Sequence, residues 1–396
     1  MNATHRQQPQ WIVAGGALAV LAAVTPLAGA GGAVTPALVV IGGLLGIVLY
    51  HAAFGFTAAY RRWFVEGATD GVRAQLVMLA AATLLFAPVL AAGGIFGHGA
   101  GGIYAPVGWR LFIGAFLFGI GMQLGGGCGS GTLFTIGGGS LRMAVTLVFF
   151  CAGSWWATLD MPFWQSLPTF PAISLGKELG WTAATLLQLG LIAVLWSLLG
   201  RGKRPAKPQQ LTRAAFQQIL VSGPWPLLAG ALLLALLNWA TLVISGHPWT
   251  VTWGFAIWGA KTAALLGWEP ATSAFWSAPW TRAALENGIL VDHSSAMDIG
   301  IILGAMIAAA LAGRFHPTIA IPARSLAAAI IGGLMLGYGA RVGFGCNIGA
   351  FFSGVASMSL HGWGWIVAAL AGCRIGIWLR PAFGLANRQA QEITSG

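Results

Sequence analysis

The sequence predicts an all-α protein that crosses a membrane many times. Of its 396 residues, 57% are hydrophobic and only 7% are charged, whereas soluble domains are about a quarter charged. Many apolar stretches approach the roughly 20 residues that span a bilayer, among them 11–30, 72–95, 140–159, 179–200, 224–245, 295–313, 324–342 and 362–380. Backbone in lipid must satisfy its own hydrogen bonds, and these stretches lack barrel alternation, so we expect helices.

Four further segments are predicted either to interrupt a transmembrane helix or to enter the membrane without crossing it. Segments 36–58 and 248–268 each follow the first helix of one half and end near polar residues. The glycine loops 125–131 and 343–349 break apolar stretches, and the short segments 132–138 and 350–358 follow them. Irregular backbone at membrane depth must be buried in protein or line a polar cavity. We therefore expect about nine transmembrane helices plus short re-entrant helices, with two opposing funnels that meet near the midplane.

An internal repeat divides the chain. IGAFLFGIGMQLGGGC (113–128) aligns without gaps to IGGLMLGYGARVGFGC (331–346), and seven of the sixteen positions are identical. The predicted division is a first membrane repeat over 11–160, a connecting region over 161–221 and a second repeat over 222–382. An even number of crossings per repeat, with one linking helix between them, predicts two pseudo-symmetric repeats of inverted orientation, a recurrent plan for transporters.

The distribution of Lys and Arg predicts the orientation in a bacterial inner membrane. The segment 201–213 carries five basic residues, and its simplest interpretation is a cytoplasmic loop under the positive-inside rule. Counting crossings from this loop places the N-terminus outside and the C-terminus in the cytoplasm. The net charge of +11 weakly favours an anionic substrate, but the scattered basic residues do not predict a nucleic-acid partner. Membrane lipid is the expected surrounding.

The repeated thiols are the candidate site. Cys128 and Cys346 end the aligned segments, and their glycine neighbours allow backbone N–H groups to converge on a ligand. Gly127, Gly129 and Gly345 belong to these loops, and Asn347 adds a side-chain donor. A thiol is a weak donor with a polarizable sulfur, suited to a sulfur-bearing species. The N-terminal dipole of a short helix after each cysteine would favour an anion.

Other residues receive simpler interpretations. Cys151 and Cys373 are predicted to be small packing residues, and no cysteine spacing indicates a metal site. Arg341 aligns with Gln123, five residues before the second cysteine, and could attract an anion near one mouth of the path. No nucleotide-binding motif, catalytic triad or haem motif is present in the sequence. We expect a protein that is not an enzyme and that uses no cofactor.

The cysteine loops, LYHAAFGFTAAYRR (49–62) and SGHPWTVTWGFAIWGAK (245–261) resemble the YeeE/YedE family of membrane proteins over nearly the whole chain. The resemblance implies an hourglass-shaped inner-membrane protein with nine spanning helices. It also implies uptake of thiosulfate along a central line of cysteines, two of which match Cys128 and Cys346. A third family cysteine is absent, because Gly55 stands at its position, and His51 or Tyr50 could replace it as a donor.

The resulting hypothesis is uptake of a small sulfur-containing anion, thiosulfate first, by a channel-like route or by coupling to an existing gradient. One alternative is a carrier of a selenium compound or of another sulfur species. A second alternative is a membrane subunit that delivers sulfur to a cytosolic sulfur-carrier protein, which the basic segment 201–213 could dock.

Overall fold

The computed structural model describes residues 8–200, 219 and 221–387, and within them the architecture is helical, as predicted. The first half contains α1 (Trp11–Leu27), α2 (Val34–His51), α3 (Phe56–Glu66), α4 (Asp70–Ala91), α5 (Trp109–Gly125), α6 (Gly129–Gly137), α7 (Leu141–Leu159), α8 (Met161–Ser166) and α9 (Leu175–Leu179). Two antiparallel pairs of very short strands join Gly94–Ile95 to His98–Gly99 and Val107–Gly108 to Thr169–Phe170.

The second half repeats this series of helices. It contains α10 (Trp181–Leu199), α11 (Leu227–Ser245), α12 (Thr252–Leu265), α13 (Pro279–Glu286), α14 (His293–Leu311), α15 (Ala323–Val342), a π-helical turn (Asn347–Ser353), α16 (Gly354–Ala356) and α17 (Leu360–Leu379). Among the described residues, ten helices are long and apolar enough to cross a membrane. The chain is an all-α, multi-pass membrane protein.

The structure corrects the prediction that 36–58 only dips into the membrane. Its first part is α2, 18 residues long, and at 1.5 Å per residue this helix reaches about 27 Å, close to the thickness of the hydrocarbon core. Helix α2 ends only at His51, and α3 begins at Phe56 after a short irregular segment. The other predicted dipping segment, 248–268, contains α12, which has only 14 residues. The difference between nine expected and ten observed long apolar helices comes from α2.

Helix packing relates the two halves. Helix α2 packs on α14 and α11 packs on α4, while α5 packs on α17 and α15 packs on α7. Helix α1 packs on α14 as α10 packs on α4, and α5 and α15 pack on each other at the centre. In its packing, α10 is thus the counterpart of α1, whereas the sequence-based division placed it in the connecting region.

Equivalent helices run in opposite directions. Helix α2 ends where the backbone N–H of Trp225 donates to the carbonyl of His51, and its counterpart α11 begins just after Trp225. Helix α11 ends at the other side of the bundle, where Gly246 accepts from Gly101. Each half contributes five of the long apolar helices. Because five is odd, the second half starts on the opposite side of the bundle from the first and is inverted without a separate linking helix.

The two ends of the bundle differ in composition. We call one the basic end, because it carries Arg142, Arg314, Arg324 and Arg380; the other, which carries Trp164, Trp253, Trp276 and Trp280, is the tryptophan end. Helices α2 and α5 finish at the basic end. Arg142 there bonds the side chain of Ser325 and the carbonyls of Leu124 and Gly125.

Both ends of the described chain lie at the basic end, whereas the sequence predicted the two termini on opposite sides of the membrane. The backbone N–H of Gln10 donates to the carbonyl of Ala310. The side-chain amide of Gln10 donates to the carbonyl of Phe315 and accepts from the backbone N–H of Phe315. At the other end of the chain, Arg380 donates to the carbonyl of Gln123. The expectation assumed nine crossings, an odd number. With α2 counted as a full span, the described residues contain ten long apolar helices, and an even number brings both ends to the same side. The basic segment 201–213 lies outside the described residues.

Glycines allow the helices to approach at backbone distance. At the crossing of α2 and α14, a Cβ added to Gly304 would overlap the carbonyl oxygen of Gly43, and one added to Gly300 would overlap that of Val39. Because lipid offers little hydrophobic drive for helix association, such small-residue contacts stabilise bundles in membranes. Gly190 on α10 has nothing within 4 Å of an added Cβ.

We expect Gly304→Leu to prevent stable folding, because the new side chain cannot fit without separating α2 from α14. Overpacking of this kind costs about 3 kcal/mol. The measurement is the yield and thermal stability of monodisperse protein in detergent. Gly190→Leu is the matched control and should leave both near the wild-type values, and equal behaviour of the two variants would contradict the close α2–α14 contact.

Candidate functional site

The two glycine loops form matching breaks at opposite ends of the central helix pair. Helix α5 ends at Gly125, Gly126 has φ +97°, and extended Cys128 is the residue before α6. In the second half, Phe344 and Gly345 have φ of +67° and +144°, and extended Cys346 precedes the π-helical turn. Each cysteine therefore stands at the amino end of a short helix, as the sequence predicted.

The two loops meet inside the protein. A Cβ added to Gly129, the residue after Cys128, would lie 3.1 Å from the Sγ of Cys346. The Sγ of Cys346 accepts from the backbone N–H of Ile348 at 3.4 Å, and the Sγ of Cys128 lies 3.6 Å from the hydroxyl of Ser130. Both thiols are buried. The structure thus brings together Cys128, Gly129 and Cys346, which lie far apart in sequence.

The remaining loop residues surround this contact. Gly127 lies against the first turn of α6, since an added Cβ would be 2.9 Å from the backbone nitrogen of Thr132. Gly345 lies likewise against the π-helical turn, 2.9 Å from the nitrogen of Ala350. A side chain at either position would push the short helix away from its cysteine. The first N–H groups of α6 lack partners within the helix, which makes this terminus favourable for an anion.

Several buried polar atoms around the thiols have no hydrogen-bond partner. They are the hydroxyls of Thr57 and Tyr60, the side-chain oxygen of Gln123, and both polar atoms of Asn347. All four residues are at most 4% exposed. Buried polar groups in folded proteins are nearly always paired, with protein, water or ligand. Their concentration at this point indicates a place that accommodates a polar guest.

Tyr60 and Cys373 lie beside the candidate site, although no pattern in the sequence singled them out for it. The hydroxyl of Tyr60 lies within interaction range of Cys128, Cys373 and Asn347, and Cys373 also lies beside the side chain of Gln123. Gln123 in turn donates to the carbonyl of Thr57 at 3.2 Å, which holds α3 against α5. Cys373 was interpreted as a packing residue because it has no partner in the repeat. Only tertiary packing of α17 on α5 places it beside this group.

A small cavity opens at the basic end beside the break between α2 and α3. It measures about 50 Å³ and is lined by Ala53, Phe54, Gly55, Ala58, Ala59, Arg62, Gly71, Gln75 and Leu227. Gly55 is extended and precedes α3, and Phe56 after it packs edge-on against Phe351. His51 lies apart from the thiols, since its ring packs on Trp225 at 5.1 Å between centroids. Gly55 therefore lines the cavity at the basic end, whereas His51 is not among its lining residues.

A larger cavity of about 470 Å³ opens at the tryptophan end. Its lining includes His247, Thr250, Trp253, Asp292, His293 and Ser294. The hydroxyls of Thr250 and Ser294 lie 2.7 Å apart. Val251 follows directly, and its Cγ1 would lie 3.2 Å from a Cβ at Gly129. Thr250 on the floor of this cavity is therefore the neighbour in sequence of Val251, which lies beside Gly129 near the Sγ of Cys346.

Asn238 positions the broken segment that separates α11 from α12. Its side chain accepts from the backbone N–H of Trp249 at 2.8 Å and donates to the hydroxyl of Ser353, which itself donates to the carbonyl of Trp249. These bonds tie the floor of the cavity to the π-helical turn. They satisfy backbone groups that the break exposes, as is required at membrane depth.

Arg341 lies at the tryptophan end. Its guanidinium carbon is 5.4 Å from the ring centre of Trp253, a lining residue of the larger cavity, and 5.8 Å from that of Phe275. Its Nε has no hydrogen-bond partner. Nearby Arg110 donates instead to the carbonyl of Val342 at 3.0 Å. Arg341 thus places a positive charge with an unused donor beside the cavity, away from Cys128.

Within the part of the chain that the structure describes, no three His, Cys, Asp or Glu side chains come together as metal ligands would. The polar atoms around the thiols are donors or neutral acceptors from Thr57, Tyr60, Gln123 and Asn347. Neutral donors beside polarizable sulfur suit an anion rather than a hard cation.

Known proteins resemble this chain over much of its length. The sulphur transport family matches residues 51–375. The chain is 29% identical over 270 residues to the thiosulfate transporter TsuA of Spirochaeta thermophila, covering 63% of this chain and 71% of that protein. It is 26% identical over 354 residues to TsuA of Escherichia coli, covering 86% of this chain and 93% of that protein.

A further relative is the probable transporter YedE of Escherichia coli. It is 32% identical over 142 residues, which cover 36% of this chain and 33% of that protein. The match to the sulphur transport family extends over most of the chain and includes both cysteine loops, and the relatives are named as transporters. This chain belongs to the sulphur transport family, the YeeE/YedE proteins.

Proposed function

We propose that the protein takes up a small sulfur-containing anion, thiosulfate first, across the bacterial inner membrane. The observation that carries the proposal is the meeting of two buried cysteine loops, where a Cβ added to Gly129 would lie 3.1 Å from the Sγ of Cys346 and where buried polar atoms lack hydrogen-bond partners. Two relatives that align over much of the chain are named thiosulfate transporters, which favours this anion.

The path follows from the order of these groups. An anion enters the cavity at the tryptophan end, attracted by Arg341, and reaches Thr250 on its floor. It then passes Cys346 and Cys128, whose S–H groups donate weakly to its oxygens or terminal sulfur. Tyr60, Gln123 and Cys373 receive it on the far side, before the mouth at Gly55. No covalent step is needed, because each thiol only exchanges a hydrogen bond.

The basic end is proposed to face the cytoplasm. Arg142, Arg314, Arg324 and Arg380 lie there, whereas Arg110 and Arg341 lie at the tryptophan end, and a surplus of basic residues marks the cytoplasmic side. Both chain ends are then cytoplasmic, and the segment 201–213 between α10 and α11 is cytoplasmic as well. Reporter fusions at each terminus check this, since a periplasmic signal from either would contradict the orientation. Lipid surrounds the exposed apolar faces.

Inward movement of an anion works against the membrane potential. Each negative charge that moves inward against about 100 mV costs about 2.3 kcal/mol. A doubly charged anion therefore enters uphill unless its gradient is steep or another ion accompanies it.

The test is uptake of labelled thiosulfate by cells that lack other importers, and by proteoliposomes that contain the purified protein. Uptake well above empty vesicles is expected, with competition by unlabelled thiosulfate. Stronger competition by a selenium compound or another sulfur species would assign the site to that substrate. Absence of uptake in proteoliposomes would contradict transport.

Absence of uptake would favour a subunit that delivers sulfur to a cytosolic sulfur-carrier protein. A matched pull-down then compares the wild type with a variant in which Arg201, Lys203, Arg204, Lys207 and Arg213 are neutral. Capture that depends on these charges would support the docking role, and equal capture would leave them a topological role only.

We expect Gly55→Cys to fold normally and to raise uptake at low thiosulfate concentration by about fivefold, the equivalent of one added hydrogen bond of about 1 kcal/mol. An added Cβ meets only Ala58, at 4.0 Å, and the backbone at Gly55 is extended, so the thiol fits. Initial uptake rates provide the measurement. Gly55→Ala fills the same space without sulfur; if both variants behave alike, a thiol at this mouth contributes nothing.

A further inference from the structure

Asp298 is a buried carboxyl group without a partner. It lies on α14, its side chain is 0% exposed, and neither carboxylate oxygen has a hydrogen bond. Ionisable side chains inside membrane helices are costly and typically mark ion or proton pathways. The transport path described above does not use this residue.

The surroundings place Asp298 close to the thiols. A Cβ added to Gly254 on α12 would lie 2.7 Å from its Oδ2 and 3.1 Å from the hydroxyl of Ser295. Three residues earlier, Val251 directly precedes α12, and its Cγ1 would lie 3.2 Å from a Cβ added to Gly129 beside Cys346. Cys346 and Cys151 lie within electrostatic range of the carboxyl group. The start of α12 therefore lies against Asp298, and the residue just before it lies beside Gly129.

The inverted repeat gives this position a counterpart. Asp298 is the sixth residue of α14, and Gln75 is the sixth residue of the equivalent helix α4. Gln75 lines the cavity at the basic end together with Gly55. The fold thus places a polar side chain at the sixth position of each of these equivalent helices, neutral on α4 and titratable on α14.

No charged group neutralises Asp298. The closely packed helices α1, α2 and α6 contain no Asp, Glu, Lys or Arg, and His51 on α2 packs on Trp225. On α12, Lys261 donates to the carbonyls of Leu285 and Asn287. Just before its own helix, Asp292 accepts from the backbone N–H of Ser295 and is a second acidic group within electrostatic range of Asp298, and His293 begins the helix. The thiols of Cys151 and Cys346 are also within electrostatic range, and among the described residues no side chain makes a hydrogen bond to the Asp298 carboxyl group.

We propose that Asp298 is a proton-binding site that couples passage of the anion to inward movement of a proton. This inference rests on the proposed function. A hydronium ion in the cavity at the tryptophan end loses a proton and becomes water; as its O–H bond breaks, the carboxylate of Asp298 forms a new O–H bond, and the neutral group no longer repels an anion at Cys346. The same bond breaks when the proton leaves with the anion toward the basic end, so no oxidant or reductant is required.

The test uses proteoliposomes with a pH-sensitive dye inside and thiosulfate added outside. Wild-type vesicles should acidify inside as thiosulfate enters, and uptake should fall as the outer pH is raised, because deprotonation restores the negative charge. Asp298→Asn should carry thiosulfate down its gradient without acidification and without pH dependence. Asp298→Glu keeps a titratable group and should retain acidification. Glu269→Gln, which removes an exposed carboxylate of the same end, should behave as wild type.

The outcomes separate the two proposals. Wild-type uptake without acidification, or unchanged acidification with Asp298→Asn, would overturn proton coupling and leave transport standing. Absence of wild-type uptake would overturn the proposed function and this inference with it. If Asp298→Asn is not monodisperse, acidification by the wild type and by Asp298→Glu decides the question.

Discussion

Replacing Cys128 or Cys346 by alanine is expected to lower thiosulfate uptake about tenfold, and the double replacement is expected to lower it further. A hydrogen bond to a charged partner contributes about 1.5–3 kcal/mol, and about 1.4 kcal/mol is tenfold. The Sγ of Cys128 lies beside the hydroxyl of Ser130, and the Sγ of Cys346 accepts from the N–H of Ile348. Both contacts are local, so alanine at either position removes the thiol without breaking a hydrogen bond between helices. Initial uptake rates in proteoliposomes are the measurement.

Cys151→Ala is the matched control. Cys151 is half-buried on α7 and belongs to neither glycine loop, so its replacement should leave uptake unchanged. Serine at Cys128 or Cys346 keeps a small donor but loses polarizable sulfur, and intermediate rates are expected. Normal uptake by a monodisperse Cys128→Ala/Cys346→Ala protein would show that the thiols do not carry the anion.

Local sequence was sufficient to predict the helices and the two breaks. Apolar length predicted the spans, and glycine runs before Cys128 and Cys346 predicted that each helix stops there, which the φ values of +97° at Gly126 and +144° at Gly345 explain. The misjudged element was α2, because its apolar run continues into Tyr50 and His51. Polar residues near a helix end resemble those of a re-entrant loop, so composition does not distinguish the two.

Long-range contacts determine the rest of the candidate site. Tyr60 comes from α3, Gln123 from α5 and Cys373 from α17, and no spacing in the sequence predicts that they meet. Repeat symmetry identified Cys128 and Cys346 because both halves keep the thiol. It could not identify Cys373 or Asp298, since a residue that differs between the halves leaves no repeated signal. The asymmetric residues are those through which two similar halves can perform different tasks.

Gly129→Val is expected to block the path, with uptake reduced about tenfold or more. Gly129 is the first residue of α6 with ordinary helical backbone, so valine is tolerated by the chain. Its Cβ, however, would lie 3.1 Å from the Sγ of Cys346 and 3.2 Å from the Cγ1 of Val251. Overpacking at such a contact costs about 1–3 kcal/mol, and the added methyl groups occupy the space between the two thiol loops.

Gly349→Ala tests whether any added methyl group has this effect. Its Cβ would meet Thr250 at 3.7 Å, an ordinary contact, and uptake should stay near wild type. Combining Gly129→Val with Val251→Ala should restore part of the rate, since the second change removes one of the two groups in conflict, and residues in contact give non-additive effects. Normal uptake by Gly129→Val in a monodisperse protein would place the route elsewhere, because an anion that passes between Cys128 and Cys346 must pass this residue.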